Sequence, residues 1–115
     1  MNERISVHVA TRDRSMELYG LLASLLNQSY KSFDVVIGDG SMPNSILGHH
    51  SIQSVCQRLK LEGHGVFGFH VQVQGVCFNR QECLDRDPWK ENPLILRIDD
   101  DTILPPDYIE KLVVG

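Results

Sequence analysis

The chain has 115 residues, enough for one small domain or for part of a larger one. Its hydrophobic content of 42% and charged content of 23% are those of an ordinary soluble globular sequence. Lys and Arg number 11 against 15 Asp and Glu, a net charge of −4 with no basic stripe, which disfavours nucleic-acid binding because neutralising phosphates needs clustered cations.

Met1-Asn2-Glu3-Arg4 leads into the first strand without a long apolar segment, so neither a signal peptide nor a membrane span is expected. Ile5, Val7 and Val9 alternate with Ser6, His8 and Ala10, the period of a strand, which then enters the polar turn Thr11-Arg12-Asp13-Arg14. Ser15 is placed to cap a helix whose Leu18, Leu21, Leu22, Leu25 and Leu26 form one apolar stripe, ended by Asn27-Gln28-Ser29. A second strand, Phe33 to Ile37, closes in Gly38-Asp39-Gly40-Ser41, completing a βαβ unit that is expected to be parallel and right-handed.

After a loop at Met42 to Asn44, Ser51 is a candidate cap for a second helix with Ile52, Val55, Cys56 and Leu59 on one face and Gly63 at its end. Phe67, Phe69, Val71 and Val73 alternate with polar or small residues as a third strand, its pattern that of a sheet edge. A third helix is expected from Asn79 to Asp87, stopped by Pro88. The apolar run Leu94 to Ile98 reads as a buried fourth strand. Pro105-Pro106-Asp107 opens a last helix with Tyr108, Ile109, Leu112 and Val113 turned to the sheet.

Alternating strands and helices predict an α/β fold with a mostly parallel sheet, order 3-2-1-4, and helices on both faces. Thr11–Arg14, Asp39–Ser41 and Asp99–Asp101 each follow the carboxyl end of a strand, so they share one edge of such a sheet, and ligands bind there where the strand order reverses. Asp99-Asp100-Asp101 is the most informative of these. Two like charges about 5 Å apart repel by about 3 kcal/mol at an effective dielectric near 20. The triplet is either left solvated or offset by a cation, and a hard divalent ion on one or two carboxylates plus substrate phosphates is the chemistry that suits it.

Three further patterns carry less. The odd count of three cysteines, Cys56, Cys77 and Cys83, has no Cys-x-x-Cys pair; buried thiols in a reducing cytoplasm are the default, with membrane association through sequence outside these residues left open. His49, His50 and His64 lack zinc-site spacing. Aligning Asp99 with the start of a calcium loop puts Leu104 where that loop needs glycine, and a phosphatase with an Asp-x-Asp nucleophile would carry the motif near its start.

The stretches Ile5–Arg14, Ser24-Leu25-Leu26-Asn27-Gln28-Ser29-Tyr30, Phe33–Ser41, and Asp99-Asp100-Asp101 followed by Pro105-Pro106-Asp107-Tyr108-Ile109 together resemble family 2 glycosyltransferases of the GT-A fold. The resemblance covers residues 1–115 as an N-terminal, nucleotide-sugar-binding part. It implies a UDP-sugar donor, Mn²⁺ or Mg²⁺, and inverting displacement at the anomeric carbon. In that reading Asp101 holds the metal with help from Asp99, Asp100 lies near the ribose, Asp39 accepts a hydrogen bond from the base, and Thr11 lines the base pocket through its backbone. Arg12 stands where the family often has a stacking aromatic, and Arg80 follows the start of a helix that approximates the family's arginine-asparagine pattern. The acceptor half and the catalytic base are expected beyond Gly115. The alternative is a nucleotide- or metal-binding module without turnover, or a structural remnant.

Overall fold

The structure, a computed structural model, describes residues 3–73 and 75–114. Met1, Asn2, Gln74 and Gly115 lie outside the described residues, and with them the two ends of the sequence read above.

Four strands, β1 (Ile5–Thr11), β2 (Phe33–Asp39), β3 (Val66–His70) and β4 (Leu94–Asp99), form one all-parallel sheet in the order β3-β2-β1-β4. Between and after them run α1 (Ser15–Leu26), a short 3-10 turn (Ile46–Gly48), α2 (His50–Leu61), α3 (Val76–Arg86) and α4 (Tyr108–Val114). The order steps outward twice, from β1 to β2 to β3, and then returns past β1 to β4. Because parallel crossovers are right-handed, the return places its helix on the opposite face. The cores agree: Ile5, Val7, Val9, Phe33, Val35 and Ile37 meet the leucines of α1, Ile52 and Leu59 of α2 and Ile109 of α4, whereas Val36 meets Cys83 of α3, with Phe69, Val71 and Trp89. The expected order and the helices on both faces are what the structure has.

The face under α3 is polar as well as buried. His8 Nε2 and Asp87 Oδ2 form a hydrogen bond of 2.7 Å with both side chains buried. Asn92 donates to Ser6 Oγ and to Asp34 Oδ2 at 3.0 and 3.1 Å, and Arg4 donates to both Asp34 oxygens at 2.9 and 2.8 Å. Gly38 lets α3 approach β2: a Cβ there would lie 2.0 Å from Asn79 Oδ1 and 2.9 Å from Cys83 Sγ.

Several local expectations are corrected. Ser15 begins α1 rather than capping it, the cap position being Arg14 with no side-chain hydrogen bond. Ser51 lies inside α2; the hydroxyl that caps in this region is Ser45, which accepts from Leu47 N at the 3-10 turn. The third helix starts at Val76, three residues before Asn79, because Gly75 at φ 125° turns the chain there. Cys83 is buried but Cys77 is exposed, since six residues on a helix turn the two thiols to different sides. The fourth strand is an edge strand with Leu94 41% and Ile95 50% exposed, not a buried one. Leu112 is exposed because α4 is rotated to bury Ile109.

Two outcomes test this packing. Gly38→Ala should lower unfolding free energy by about 1–3 kcal/mol, the usual cost of overpacking, with part of the loss recovered when Asn79→Ala is added, as read by urea denaturation. Burial pushes the Asp34 carboxyl up, but hydrogen bonds from Arg4, Asn92 and the Gly65 N–H outweigh it and hold the group below the ordinary carboxylate range. Its stabilisation is therefore present above the unfolded value near 3.8 and is lost as pH falls through the lower folded value. Asp34→Asn should lower Tm at pH 7 and flatten the decline of Tm in strong acid.

Candidate functional site

The end of β1 lies between the ends of β2 and β4, with Thr11 paired to Asp39 and Ala10 to Asp99 in the parallel registers. Where the order reverses, between β1 and β4, a cleft of about 400 Å³ opens. It is lined by Ala10, Thr11, Arg12 and Arg14 from the end of β1 and the turn after it, by Gly40, and by Asp99, Asp100 and Asp101. Val73, Gly75, Val76, Asn79 and Arg80, around the start of α3, complete the lining.

The triplet is split by direction. Asp100 is buried, accepts from Thr11 Oγ1 at 2.9 Å, and has Arg14 Nη1 at 3.4 Å from its other oxygen. Burial raises its carboxyl above the ordinary range; Thr11 and Arg14 oppose that rise, while Asp101 and Glu17 add to it. Asp99 and Asp101 stay exposed at the rim. Asp101 Oδ2 lies 3.5 Å from the same Arg14 nitrogen, and Asp99 Oδ1 lies 3.4 Å from Arg80 Nη2. At these distances and exposures each ion pair is worth at most about 1 kcal/mol, less than the repulsion it offsets.

Of the residues singled out in the sequence, Thr11, Arg12, Arg80, Asp99, Asp100 and Asp101 line the cleft together. Asp39 does not. It is fully buried, and its carboxylate is spent on the loop that follows it: Oδ1 accepts from Ser41 N and Ser41 Oγ, and Oδ2 from Ser45 Oγ at 2.6 Å and Ile46 N at 2.7 Å. That loop in turn fastens the turn after β1. Gly40 N donates to Thr11 O at 2.8 Å, Asp13 N to Ser41 Oγ at 2.7 Å, and Met42 N to Asp13 Oδ1 at 3.3 Å, with Asp13 itself held at φ 53°. Thr11 thus presents its hydroxyl to Asp100 and its carbonyl to Gly40. Arg14, Asn79 and Gly75 belong to the site without having been singled out as ligand-binding residues. A glycine four residues before Asn79, just ahead of the expected helix, was the available signal for Gly75.

The donor set can be tested against a divalent ion. Among the described residues no cluster of three or more His, Cys, Asp or Glu side chains converges on one point. Two exposed carboxylates, Asp99 and Asp101, do border the cleft beside space for a ligand. That fits a hard ion taking one or two carboxylates and completing its shell with substrate oxygens and water. The rest of the cleft combines three arginines, apolar walls at Val73 and Val76, and the uncapped N-terminus of α3, features that suit an anion joined to a flat apolar group. Among the described residues no helix is long and apolar enough to cross a membrane.

An open parallel sheet with its crevice at the reversal of strand order is a Rossmann-like α/β fold, and solved structures of a glycosyltransferase share it. The similarity is to Staphylococcus aureus TarS, a glycosyltransferase. TarS residues 1–349 align with TM-score 0.73 and 18% identity over 96% of this chain and 31% of that one. A further TarS structure gives TM-score 0.72 and 18% identity over 96% of this chain and 19% of that one, and TarS 1–349 in complex with UDP-GlcNAc gives 0.67 and 19% over 96% of this chain and 30% of that one. The chain thus spans less than a third of the TarS chains it matches. No family model and no curated protein matches the sequence.

Asp39→Asn places amide N–H groups against donors that now meet a carboxylate. The expected cost is about 2–4 kcal/mol of stability, measured by urea unfolding, because buried donors lose a charged acceptor.

Proposed function

We propose that this chain is the donor-binding part of a family 2-like glycosyltransferase and that its cleft takes a nucleotide-diphosphate sugar, a UDP-sugar by preference. The observation that carries the reading is the meeting of Thr11, three arginines and the aspartate triplet in one cleft at the reversal of strand order. The fold shared with TarS, whose structures include complexes with UDP and with UDP-GlcNAc, supports the same reading.

In this reading the base lies against the Val73 and Val76 side, with Arg12 available to stack, and the diphosphate lies between Arg14, Arg80 and the start of α3. Asp101, with Asp99, would hold Mn²⁺ or Mg²⁺, and the diphosphate would supply further oxygen ligands. When bound, the ion supplies Lewis-acid stabilisation of the charge on the departing diphosphate. Asp100 acts from behind: fixed by Thr11 and turned away from solvent, it sets the direction of its two neighbours and borders the ribose. Asp39 is assigned a different role from the base contact implied by resemblance. It fastens the loop that positions Thr11.

Among the described residues the triplet supplies all the carboxylates that line the cleft, and each has an arginine contact. In this reading Asp99 and Asp101 are committed to the ion and Asp100 to Thr11, so the part proposed for these residues is donor binding.

Calorimetry with UDP, GDP and dTDP, each with and without Mn²⁺, tests the proposal. The expected result is UDP binding strengthened by Mn²⁺, with the metal-dependent part lost in Asp101→Ala. A folded chain that binds none of the three nucleotides at millimolar concentration would overturn it.

A further inference from the structure

Arg14 is an odd residue for its place. It occupies the N-cap of α1, where Ser, Thr, Asp or Asn would satisfy free N–H groups, and it makes no side-chain cap. It also brings a positive charge to the positive end of a helix dipole. Helix formation gives no reason for an arginine there. Its one observed use is electrostatic: a single nitrogen, Nη1, lies 3.4 Å from Asp100 Oδ1 and 3.5 Å from Asp101 Oδ2. Among the described residues its Nε and Nη2 have no hydrogen-bond partner, and the side chain, 50% exposed, borders the cleft.

We propose that Arg14 is a resident cation of the aspartate triplet, displaced from Asp101 by the divalent ion and redirected to the diphosphate, so that ion and nucleotide bind as a coupled pair. The inference rests on the donor-site reading above. Asp101 Oδ2 cannot serve both Arg14 and a metal ion at full strength, so the ion alone binds against a competitor. Asp100 is buried and held by Thr11, so it keeps the guanidinium at the cleft after Asp101 lets go. The released N–H groups then match phosphate oxygens, for which arginine has the geometry. By linkage, the factor by which nucleotide raises ion affinity equals the factor by which the ion raises nucleotide affinity.

The test measures Mn²⁺ affinity by electron paramagnetic resonance, with and without saturating UDP, in the wild type, Arg14→Gln, Arg14→Lys and Arg12→Gln. Arg14→Gln should bind Mn²⁺ alone about two- to fivefold more tightly, the scale of one half-exposed ion pair, and UDP should enhance that binding less than in the wild type. Arg14→Lys, which keeps the charge, should stay near the wild type. Arg12 borders the same cleft but pairs with Asp13 at 3.7 Å, so in the absence of UDP, where its proposed stacking on the base plays no part, Arg12→Gln reports the general effect of removing one positive charge and should change Mn²⁺ affinity less. Equal effects of Arg12→Gln and Arg14→Gln, or no gain in Arg14→Gln while UDP still binds, would overturn this inference alone. A wild type that binds no UDP in the presence of Mn²⁺ would overturn the donor-site reading together with it.

Discussion

Three adjacent carboxylates at the end of an edge strand cannot all face the same way. The arrangement of the site follows from how their repulsion is relieved. The middle one turns inward and needs a donor, which only the neighbouring strand can offer at that depth. Thr11 supplies it, and it does so because β4 returns past β2 and β3 to lie beside β1. The outer two turn to solvent, where Arg14 and Arg80 meet them at 3.4–3.5 Å. Pairs of that exposure are worth at most about 1 kcal/mol each, so the two rim carboxylates are only partly neutralised by their arginines.

Asp39 shows how two carboxylates with similar sequence surroundings reach opposite roles. Both it and the triplet follow an apolar strand and precede a turn, and both invite a ligand role by resemblance. In the fold one is fully buried among four donors from residues two, six and seven positions later, and the other stays at the rim of a cleft. The difference lies in the path of the Gly40–Ile46 loop, which folds back over the strand end. No periodicity encodes that path. It depends on Ser41 and Ser45 arriving together, and serines in a loop read equally well as solvated.

The sheet, by contrast, was readable because its signals are periodic and mutually consistent. Alternation in β1, the leucine stripe of α1 and two βα repeats leave few topologies, and handedness then decides the faces. The misreadings are of one kind. The apolar run at 94–98 reads as a buried strand, yet among the described residues β4 has a neighbour on one side only and leaves Ile95 half exposed. Ser15 and Ser51 carry good capping side chains but fall inside their helices, where backbone paths set by Asp13 and by the 3-10 turn start the helix earlier than side-chain preference suggests. Edges and entry angles are tertiary facts, and local pattern is silent on them.

The polar layer beneath α3 links the sheet to the cleft. Among the described residues α3 is the lone helix on its face, and the apolar cluster that holds it is small: Val36, Phe69, Val71 and Cys83, with Phe67 and Trp89. Its placement leans on specific contacts instead, His8 with Asp87 at its end and Asn79 with the Gly38 carbonyl at 2.9 Å near its start. Asn79 and Arg80 are adjacent, so the residue that docks the helix on the sheet is next to the one that faces Asp99. Any side chain larger than glycine at 38 would push that end of α3 outward and carry Arg80 away from the triplet. A glycine in the middle of the sheet thereby sets the width of a cleft whose walls belong to other elements, and the geometry of the candidate site depends on a residue that never touches its contents.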